Sequence, residues 1–158
     1  MTTIRPAASA ADIATARALF QEYADWLGID LSYQDFEQEL AGLPGDYAPP
    51  AGRLLLGEID GAAAGCIALR PLAAGIGEVK PLYLRPAFRG RGLGRRLAET
   101  VVAEARAIGY RTLRLDTLAR LTEANALYGS LGFRPIPPYY HNPTEGVVYY
   151  ELDLGDPA

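Results

Sequence analysis

The chain contains few of the residues on which metal and thiol chemistry is most often built. Its 158 residues include one cysteine, Cys66, and one histidine, His141. A single cysteine excludes a disulfide within the chain and a cysteine-rich metal site. We therefore predict no metal cofactor, and we interpret Cys66 as a small buried residue that no motif marks as an acyl carrier.

Long apolar runs and excess positive charge are absent as well. No apolar run approaches about 18 residues, the length of a membrane-spanning helix, and the first ten residues, MTTIRPAASA, lack the apolar stretch of a secretion signal. The net charge is −4, and an acidic chain is a poor general binder of nucleic acid because phosphate contacts dominate that affinity. We expect a cytoplasmic protein that binds neither membranes nor nucleic acid.

The residues that are present indicate one ordinary globular domain, residues 1–158. Hydrophobic residues make up 49% of the chain and charged residues 22%, which is typical of a soluble domain with a core of its own. Sequence periodicity predicts the element order β-α-α-β-β-β-α-β-α-β-β. This order favours a mixed α/β (α+β) domain with a single central sheet flanked by helices.

Local signals support several of these elements. Ser9 and Asp12 resemble a capping pair before a helix that Gly28 would end, and Ser32 with Asp35 would begin a second, shorter helix. The dipeptide Asp60-Gly61 between two apolar runs predicts a β-hairpin. The last alternating run, VVYYELDL, is expected to close the sheet.

The stretch RPAFRGRGLGRRLAET, residues 85–100, contains the strongest chemical signal. It places Gly90, Gly92 and Gly94 among four arginines immediately before a helix-like pattern. Amide groups in the first turn of a helix have no intrahelical partner, and the helix dipole makes that end partly positive. Glycines let a ligand approach those amides, and arginines add charged donors. The stretch therefore predicts a phosphate or pyrophosphate site.

Other interpretations of this stretch remain open at this point. A Walker loop would require a lysine after the glycines, but the only lysine is Lys80. A dinucleotide fingerprint would require a third glycine where Arg95 stands, although Asp116 at the end of the next strand would suit it. A tight turn with solvated arginines, or an arginine patch for nucleic acid, are further alternatives.

The segment LYLRPAFRGRGLGRRL followed by ANALYGSLGF resembles the GCN5-related N-acetyltransferase (GNAT) family. The first segment is similar to the acyl-CoA signature R-x-x-G-x-G/A, and the second to the helix that carries an Asn and a Tyr ahead of L-G-F. The element order is also similar to that of the family, so the resemblance covers nearly the whole chain. It implies an acyl-CoA-dependent N-acyltransferase that uses acetyl-CoA or another short acyl-CoA.

The resemblance implies a set of cofactor contacts. The pyrophosphate would lie on the turn, and the pantetheine arm would pair with the preceding strand, which the family bulges near the position of Pro81. Proline inside a strand independently marks an edge or a bulge. The residues implied in cofactor binding are Leu82, Tyr83, Leu84, Arg89, Gly90, Arg91, Gly92, Leu93, Gly94, Arg95, Asn125 and Tyr128.

The resemblance also implies catalytic roles. Tyr128 would be the general acid that protonates the departing CoA thiolate, and the amide of Leu82 would stabilise the oxyanion of the tetrahedral intermediate. Glu78 is a hypothetical base, placed on the same strand face as Leu82 unless the bulge resets the alternation; a salt bridge to Lys80 is its structural alternative. His141 is a second candidate base.

The acceptor is less defined. The resemblance implies that the two N-terminal helices and the loop before the last strand surround it, where Tyr23, Trp26, Tyr33, Tyr139 and Tyr140 are candidates for substrate binding. We expect a small-molecule or peptide amine, and a homodimer is a further expectation from the resemblance. An acyl-CoA-binding sensor or interaction module without turnover is the alternative function.

Overall fold

A computed structural model describes residues 1–28 and 36–155 of the chain. The elements in these residues follow the predicted order. They are β1 (Thr2–Pro6), α1 (Ala10–Leu27), α2 (Phe36–Ala41), β2 (Arg53–Ile59), β3 (Ala62–Ala73), β4 (Ile76–Leu84), α3 (Leu93–Ile108), β5 (Thr112–Leu118), α4 (Thr122–Ser130), β6 (Arg134–Ile136) and β7 (Val147–Asp153).

The strands of the described residues form one seven-stranded sheet in the order β1-β2-β3-β4-β5-β7-β6. The prediction of a mixed central sheet is confirmed, because β4 and β5 are parallel while the other neighbours are antiparallel. The expectation that the last strand closes the sheet is wrong. β7 lies inside, between β5 and β6, and the short β6 takes the edge because Pro135 cannot donate to a ladder.

The predicted caps and turn of the N-terminal half are present. The Ser9 side chain accepts a hydrogen bond from the amide of Asp12, and the Asp12 side chain accepts one from the amide of Ser9, which completes a capping box. Gly28 ends α1 in the left-handed conformation. Asp60 and Gly61 both have positive φ, at 52° and 82°, as the tight turn between β2 and β3 requires. The predicted starting residues of α2, Ser32 and Asp35, lie outside the described residues.

Each face of the sheet is covered by its own apolar core. The α3-side core includes Leu55, Ile67, Leu69, Leu93 and Leu97. The α1-side core holds, among others, Leu19, Phe20, Tyr47, Leu54, Leu56 and Cys66. Neighbouring residues of one strand enter opposite cores, as the two-residue period of a strand dictates.

The middle of β4 departs from regular sheet geometry. Opposite β3, the register shifts between the pairs Ile67↔Leu82 and Leu69↔Val79, so Ala68 faces both Lys80 and Pro81. This is the bulge predicted from Pro81, since a bulge sets two residues of one strand against one of its partner.

On its other side, β4 separates from β5. The parallel pairing covers only Ile76 to Glu78 of β4 and Thr112 to Arg114 of β5. Beyond Glu78 the two strands run on without pairing, so the sheet opens between them. No helix in the described part of the chain is long and apolar enough to cross a membrane.

Candidate active site

A cleft of about 590 Å³ occupies the opening between β4 and β5. Its walls come from the end of α1, the second half of β4, the turn before α3, the end of β5 and helix α4. The lining residues include Tyr23, Trp26, Glu39, Lys80, Leu82, Tyr83, Leu84, Arg89, Gly90, Gly94, Arg95, Asp116, Arg120, Tyr128 and Asn142.

The glycine-rich turn forms one end of this cleft. Gly90 and Gly92 each have φ of 80°, a conformation that costs glycine little and other residues more. The first backbone hydrogen bond of α3 runs from the amide of Arg96 to the carbonyl of Gly92, at 3.2 Å. The amides of Leu93, Gly94 and Arg95 therefore have no acceptor within the helix, which makes this end an anion-binding site in physical terms.

Individual residues of the turn differ in their position. Arg89, Gly90, Gly94 and Arg95 line the cleft. The other predicted cofactor residues of the turn, Arg91, Gly92 and Leu93, lie outside the lining. Leu93 is buried in the α3-side core, so only its amide remains for a ligand. Arg91 is exposed beside the ring of Phe88.

Arg89 connects the turn to the first helix. Its guanidinium lies 4.6 Å from the ring centroid of Trp26 and 5.9 Å from that of Tyr83, within the range of cation–π attraction. Its Nε donates to the carbonyl of Leu84 at 3.0 Å. Trp26 is 43% exposed, and its ring lies 6.4 Å from that of Tyr23. The two predicted substrate residues of α1 thus lie beside the glycine-rich turn.

The open edge of β4 presents backbone groups to the cleft. The amide of Arg85 donates to Ala64 of β3 at 2.8 Å. Because backbone groups alternate sides along an antiparallel pair, those of Leu84 and Leu82 point away from β3. That side faces the gap left by β5, and the Arg89 side chain reaches the Leu84 carbonyl there.

Tyr128 lies at the inner end of the cleft. The residue is 6% exposed and belongs to the α3-side core, where its ring packs 5.6 Å from that of Phe133. It also lines the cleft, and its hydroxyl bonds to no group of the described residues. Burial raises the pKa of the phenol well above its ordinary value, and the Asp116 carboxylate raises it further. The hydroxyl is therefore a protonated donor without an acceptor in the described part of the chain.

Asn125, a predicted cofactor anchor, makes internal hydrogen bonds. Its Nδ2 donates to the carbonyls of Leu118 at 3.0 Å and Leu121 at 2.7 Å, and its Oδ1 accepts from the Tyr150 hydroxyl at 2.7 Å. These contacts fasten the start of α4 to the end of β5. The role of Asn125 as a cofactor anchor stays a prediction.

Glu78 lies just before the opening and is 2% exposed. Its Oε1 accepts from Arg70 at 2.9 Å, its Oε2 accepts from the Tyr139 hydroxyl at 2.7 Å, and Lys80 is 3.9 Å away. The predicted structural alternative, a contact with Lys80, is therefore present, although Arg70 is the closer partner. Glu78 is not among the described residues that line the cleft.

The bulge at Pro81 resets the strand alternation between Glu78 and Leu82. Leu82 pairs with Ile67 and packs on the α3-side core. Glu78 pairs with Arg70, next to Leu69 of that same core. Since neighbours on a strand face opposite sides, Glu78 and Leu82 lie on opposite faces of the sheet.

The other predicted substrate residues form a tyrosine cluster beside Glu78. The rings of Tyr139 and Tyr140 are 5.3 Å apart, and both contact Tyr149. Burial, together with the Glu78 carboxylate, raises the pKa of Tyr139. His141 is exposed and does not line the cleft, and Tyr33 lies outside the described residues.

Sequence reasoning assigned Asp116 only to a dinucleotide fingerprint. In the structure it lines the cleft near the end of β5, and its Oδ2 accepts hydrogen bonds from the Tyr140 hydroxyl and from Asn142 Nδ2. The sequence signal that could have found it is its place near the end of a buried strand parallel to β4. Glu39 and Arg120, which also line the cleft, gave no such signal.

Cys66 does not line the cleft. Cys66 is fully buried, and burial raises the pKa of its thiol to about 12, so it remains protonated. Within residues 1–28 and 36–155, no cluster of histidine, cysteine, aspartate or glutamate could hold a metal ion.

Comparisons with known proteins identify the family of this chain. Residues 14–133 match the acetyltransferase (GNAT) family. An uncharacterized N-acetyltransferase of Schizosaccharomyces pombe is 40% identical over 145 residues, which cover 90% of this chain and 89% of the relative. Among solved structures, a GNAT acetyltransferase from Staphylococcus aureus aligns with a TM-score of 0.80 at 17% identity, covering 98% of this chain and 99% of that chain.

A second solved structure, from Salmonella typhimurium, contains its cofactor acetyl-CoA. It aligns with a TM-score of 0.73 at 22% identity and covers 100% of this chain and 96% of that one. These two structural likenesses agree with the mixed seven-stranded sheet, and the sequence match extends over most of the chain. The chain therefore belongs to the acetyltransferase (GNAT) family and is an N-acetyltransferase.

Proposed function

We propose that this chain transfers an acetyl group from acetyl-CoA, or another short acyl-CoA, to a primary amine of a small molecule or peptide. The transfer is direct, within a ternary complex. The observation that carries the proposal is the set of groups that border one cleft. The start of α3, the open edge of β4 and the phenol of Tyr128 all line it.

The turn before α3 suits the diphosphate of the cofactor. Three first-turn amides are without helical acceptors, and the helix dipole favours negative charge at the same point. Arg89 and Arg95 line this end of the cleft. Arg95 also donates to Ser130 at 2.6 Å, which holds its side chain beside the turn. The acetyl-CoA in the Salmonella structure supports this choice of ligand.

The open edge of β4 suits the pantetheine arm. An extended chain with amide groups can add to an unpaired strand edge as if it were another strand. The outward groups of Leu82 and Leu84 provide this edge, with Tyr83 between them turned into the α1-side core. The amide of Leu82 would then donate to the thioester carbonyl and stabilise the oxyanion that forms there.

Tyr128 is the proposed general acid. The acceptor attacks the thioester carbon as the neutral amine, after its ammonium form has lost one proton to water, and the carbon–sulfur bond breaks with its electron pair going to sulfur. The nitrogen then loses its second proton to water. The phenol, which remains protonated and has no competing acceptor among the described residues, gives its proton to the thiolate and regains one from water. The raised pKa keeps the proton available across the neutral pH range.

Glu78 is a proposed positioning residue on the acceptor side, since it does not itself line the cleft. Its carboxylate reaches the cleft only through Tyr139, whose ring contacts Tyr140, whose hydroxyl in turn donates to the cleft-lining Asp116. We propose that Glu78 positions this tyrosine pair.

The test is a calorimetric titration of the purified protein with acetyl-CoA, followed by a CoA-release assay with a panel of amines. We expect a dissociation constant of about 1 to 100 μM, near common substrate levels, and amine-dependent release of CoA. A folded protein that does not bind acetyl-CoA would contradict the proposal. Binding with no release of CoA from any amine would instead indicate an acyl-CoA-binding module without turnover.

A further inference from the structure

Asp116 lines the cleft near the end of β5, beside the opening between β4 and β5. Leu115, its neighbour on β5, belongs to the α3-side core, so Asp116 faces the opposite side of the sheet. Tyr128 approaches the same opening from the α3 side, and the charge of Asp116 is close enough to raise the pKa of its phenol. The carboxylate and the proposed acid therefore flank the opening from opposite faces.

Hydrogen bonds hold the Asp116 carboxylate in place through one of its two oxygens. Its Oδ2 accepts from the Tyr140 hydroxyl and, at 3.4 Å, from Asn142 Nδ2. Asn142 Nδ2 also donates to the Tyr140 hydroxyl at 3.1 Å. In the described part of the chain, Oδ1 has no hydrogen-bond or ion-pair partner. An ionised carboxylate has about four acceptor positions on its two oxygens.

The cations that line the same part of the cleft have other partners. Arg120 donates to the carbonyl of Leu27 at 2.6 Å. Lys80 lies 3.9 Å from Glu78 and 5.6 Å from the ring centroid of Tyr140. No ion pair to Asp116 is present among the described residues. A fixed carboxylate in a partly buried cleft favours a ligand that brings a positive charge and N–H donors.

We infer that Asp116 is the residue that selects the acceptor. Its Oδ1 binds the ammonium form of a cationic primary amine and holds the nitrogen at the opening between β4 and β5, with Tyr140 and Asn142 as positioning residues behind it. The ammonium passes one proton to water before its nitrogen attacks. This inference rests on the proposed function and narrows its acceptor to amines that are charged at neutral pH.

The test compares Asp116→Asn with the wild type and with Asp153→Asn. Asparagine keeps the shape of the side chain and removes its charge. Asp153 is an exposed aspartate at the end of β7, whose Oδ1 accepts from the amide of Gly155 at 2.8 Å. It provides the same substitution on the neighbouring strand but outside the cleft. Thermal unfolding shows whether each variant is folded.

The assay uses small ammonium compounds: an alkylamine, a diamine, an amino alcohol and an amino-acid amide. Hydroxylamine, which is uncharged at neutral pH, serves as the neutral nucleophile. For the best ammonium acceptor, we expect Asp116→Asn to raise KM about tenfold or more with kcat changed less than about threefold, because a charge-assisted contact is lost in the ground state and transition state alike.

Two readouts separate this effect from general damage. The KM of hydroxylamine and the acetyl-CoA dissociation constant should stay within about twofold of the wild type in Asp116→Asn, and every constant should do so in Asp153→Asn. Tyr140→Phe keeps the charge of Asp116 and loses one donor to it, so we expect its KM for the ammonium acceptor to rise less than in Asp116→Asn.

The outcomes are distinguishable. An unchanged ammonium KM in folded Asp116→Asn overturns the inference, as does a wild type that binds acetyl-CoA but acetylates no ammonium compound. A wild type that fails to bind acetyl-CoA overturns the proposed function itself, and the inference with it.

Discussion

The two ends of the cleft are built in opposite ways. The turn end consists of neighbouring residues, Arg89 to Arg95, and offers mainly backbone amides aimed at one point. The proposed acceptor end consists of side chains that are distant along the chain: Asp116 on β5, and Tyr140 and Asn142 in the loop before β7. Backbone donors suit a part of the ligand that is the same in every reaction. Side chains, in contrast, can be substituted without disturbing the fold.

This difference predicts separable effects. Substitutions at the turn end should change the affinity for acetyl-CoA, substitutions at the acceptor end should change the amine KM, and Tyr128 between them should change turnover. A turn-end variant that altered the amine KM, or an acceptor-end variant that altered the acetyl-CoA affinity, would contradict this separation.

The largest effect is expected from Gly92→Glu. It places bulk and a negative charge at the helix end and also forces a side chain into a backbone with φ of 80°. We expect acetyl-CoA affinity to fall about 100-fold or more, roughly 2.7 kcal/mol, as measured by titration calorimetry.

Gly92→Ala is the matched control, because alanine has the same backbone strain without the charge. Its affinity should fall less than that of Gly92→Glu, and circular dichroism should show both variants folded. Unchanged binding in Gly92→Glu would remove the phosphate assignment of the turn.

Tyr128→Phe should give the next largest effect. It removes the free hydroxyl and keeps the ring that packs on Phe133. We expect acetyl-CoA binding to be retained and kcat to fall at least about tenfold, about 1.4 kcal/mol on the barrier. Steady-state CoA release measures this.

The pH profile sharpens the same test. Since burial raises the pKa of Tyr128 above its ordinary value of about 10, the phenol stays protonated below that pH. The wild-type rate should therefore show no decline from loss of this proton between neutral pH and about pH 10. Wild-type turnover in folded Tyr128→Phe would exclude the residue from the mechanism.

Glu78→Gln should have a smaller effect on turnover and a measurable effect on stability. The amide keeps an acceptor for Arg70 but removes the charge that pairs with it. We expect the free energy of unfolding to fall by about 1 to 3 kcal/mol and kcat to fall less than about tenfold, since the cleft is reached only through tyrosines.

Urea denaturation and CoA release measure the two quantities for Glu78→Gln. Glu151→Gln is a matched control, since Glu151 also accepts from an arginine, Arg114, at 3.0 Å but lies on β7 away from the cleft. A loss of about 100-fold or more in kcat with little loss of stability would show that Glu78 is the base itself.

The sequence predicted most of the fold because its signals are local. Capping residues, the Asp60-Gly61 turn and strand alternation each act within a few residues. The tight conformation of the glycine-rich turn was predictable for the same reason, and Pro81 predicted the bulge. That the turn binds phosphate stays a prediction. The side of the sheet on which Glu78 lies was not predictable, because one inserted residue in the ladder inverts the alternation.

The acceptor end was predictable only in part. Tyr139 and Tyr140 were both named as candidates for substrate binding, but their hydrogen-bond partners, Glu78 and Asp116, lie 61 and 24 residues away along the chain. Such contacts depend on which strands become neighbours. The place of β7 inside the sheet, which brings Tyr149 beside Asp116, was itself predicted wrongly.

Cys66→Ala should have the smallest effect on activity and tests whether the transfer is direct. Cys66 lies in the α1-side core, fully buried, on a strand that does not border the cleft opening. Because burial holds its pKa at about 12, the thiolate needed for an acyl intermediate is scarce at neutral pH. We expect kcat within about twofold of the wild type and a loss of stability of about 1 kcal/mol from the small cavity.

CoA release and urea denaturation measure the two effects of Cys66→Ala. The mass of the intact wild-type protein after exposure to acetyl-CoA alone should show no added acetyl group. A folded Cys66→Ala variant without turnover would contradict direct transfer. It would indicate that the acyl group passes first to the Cys66 sulfur and then to the amine.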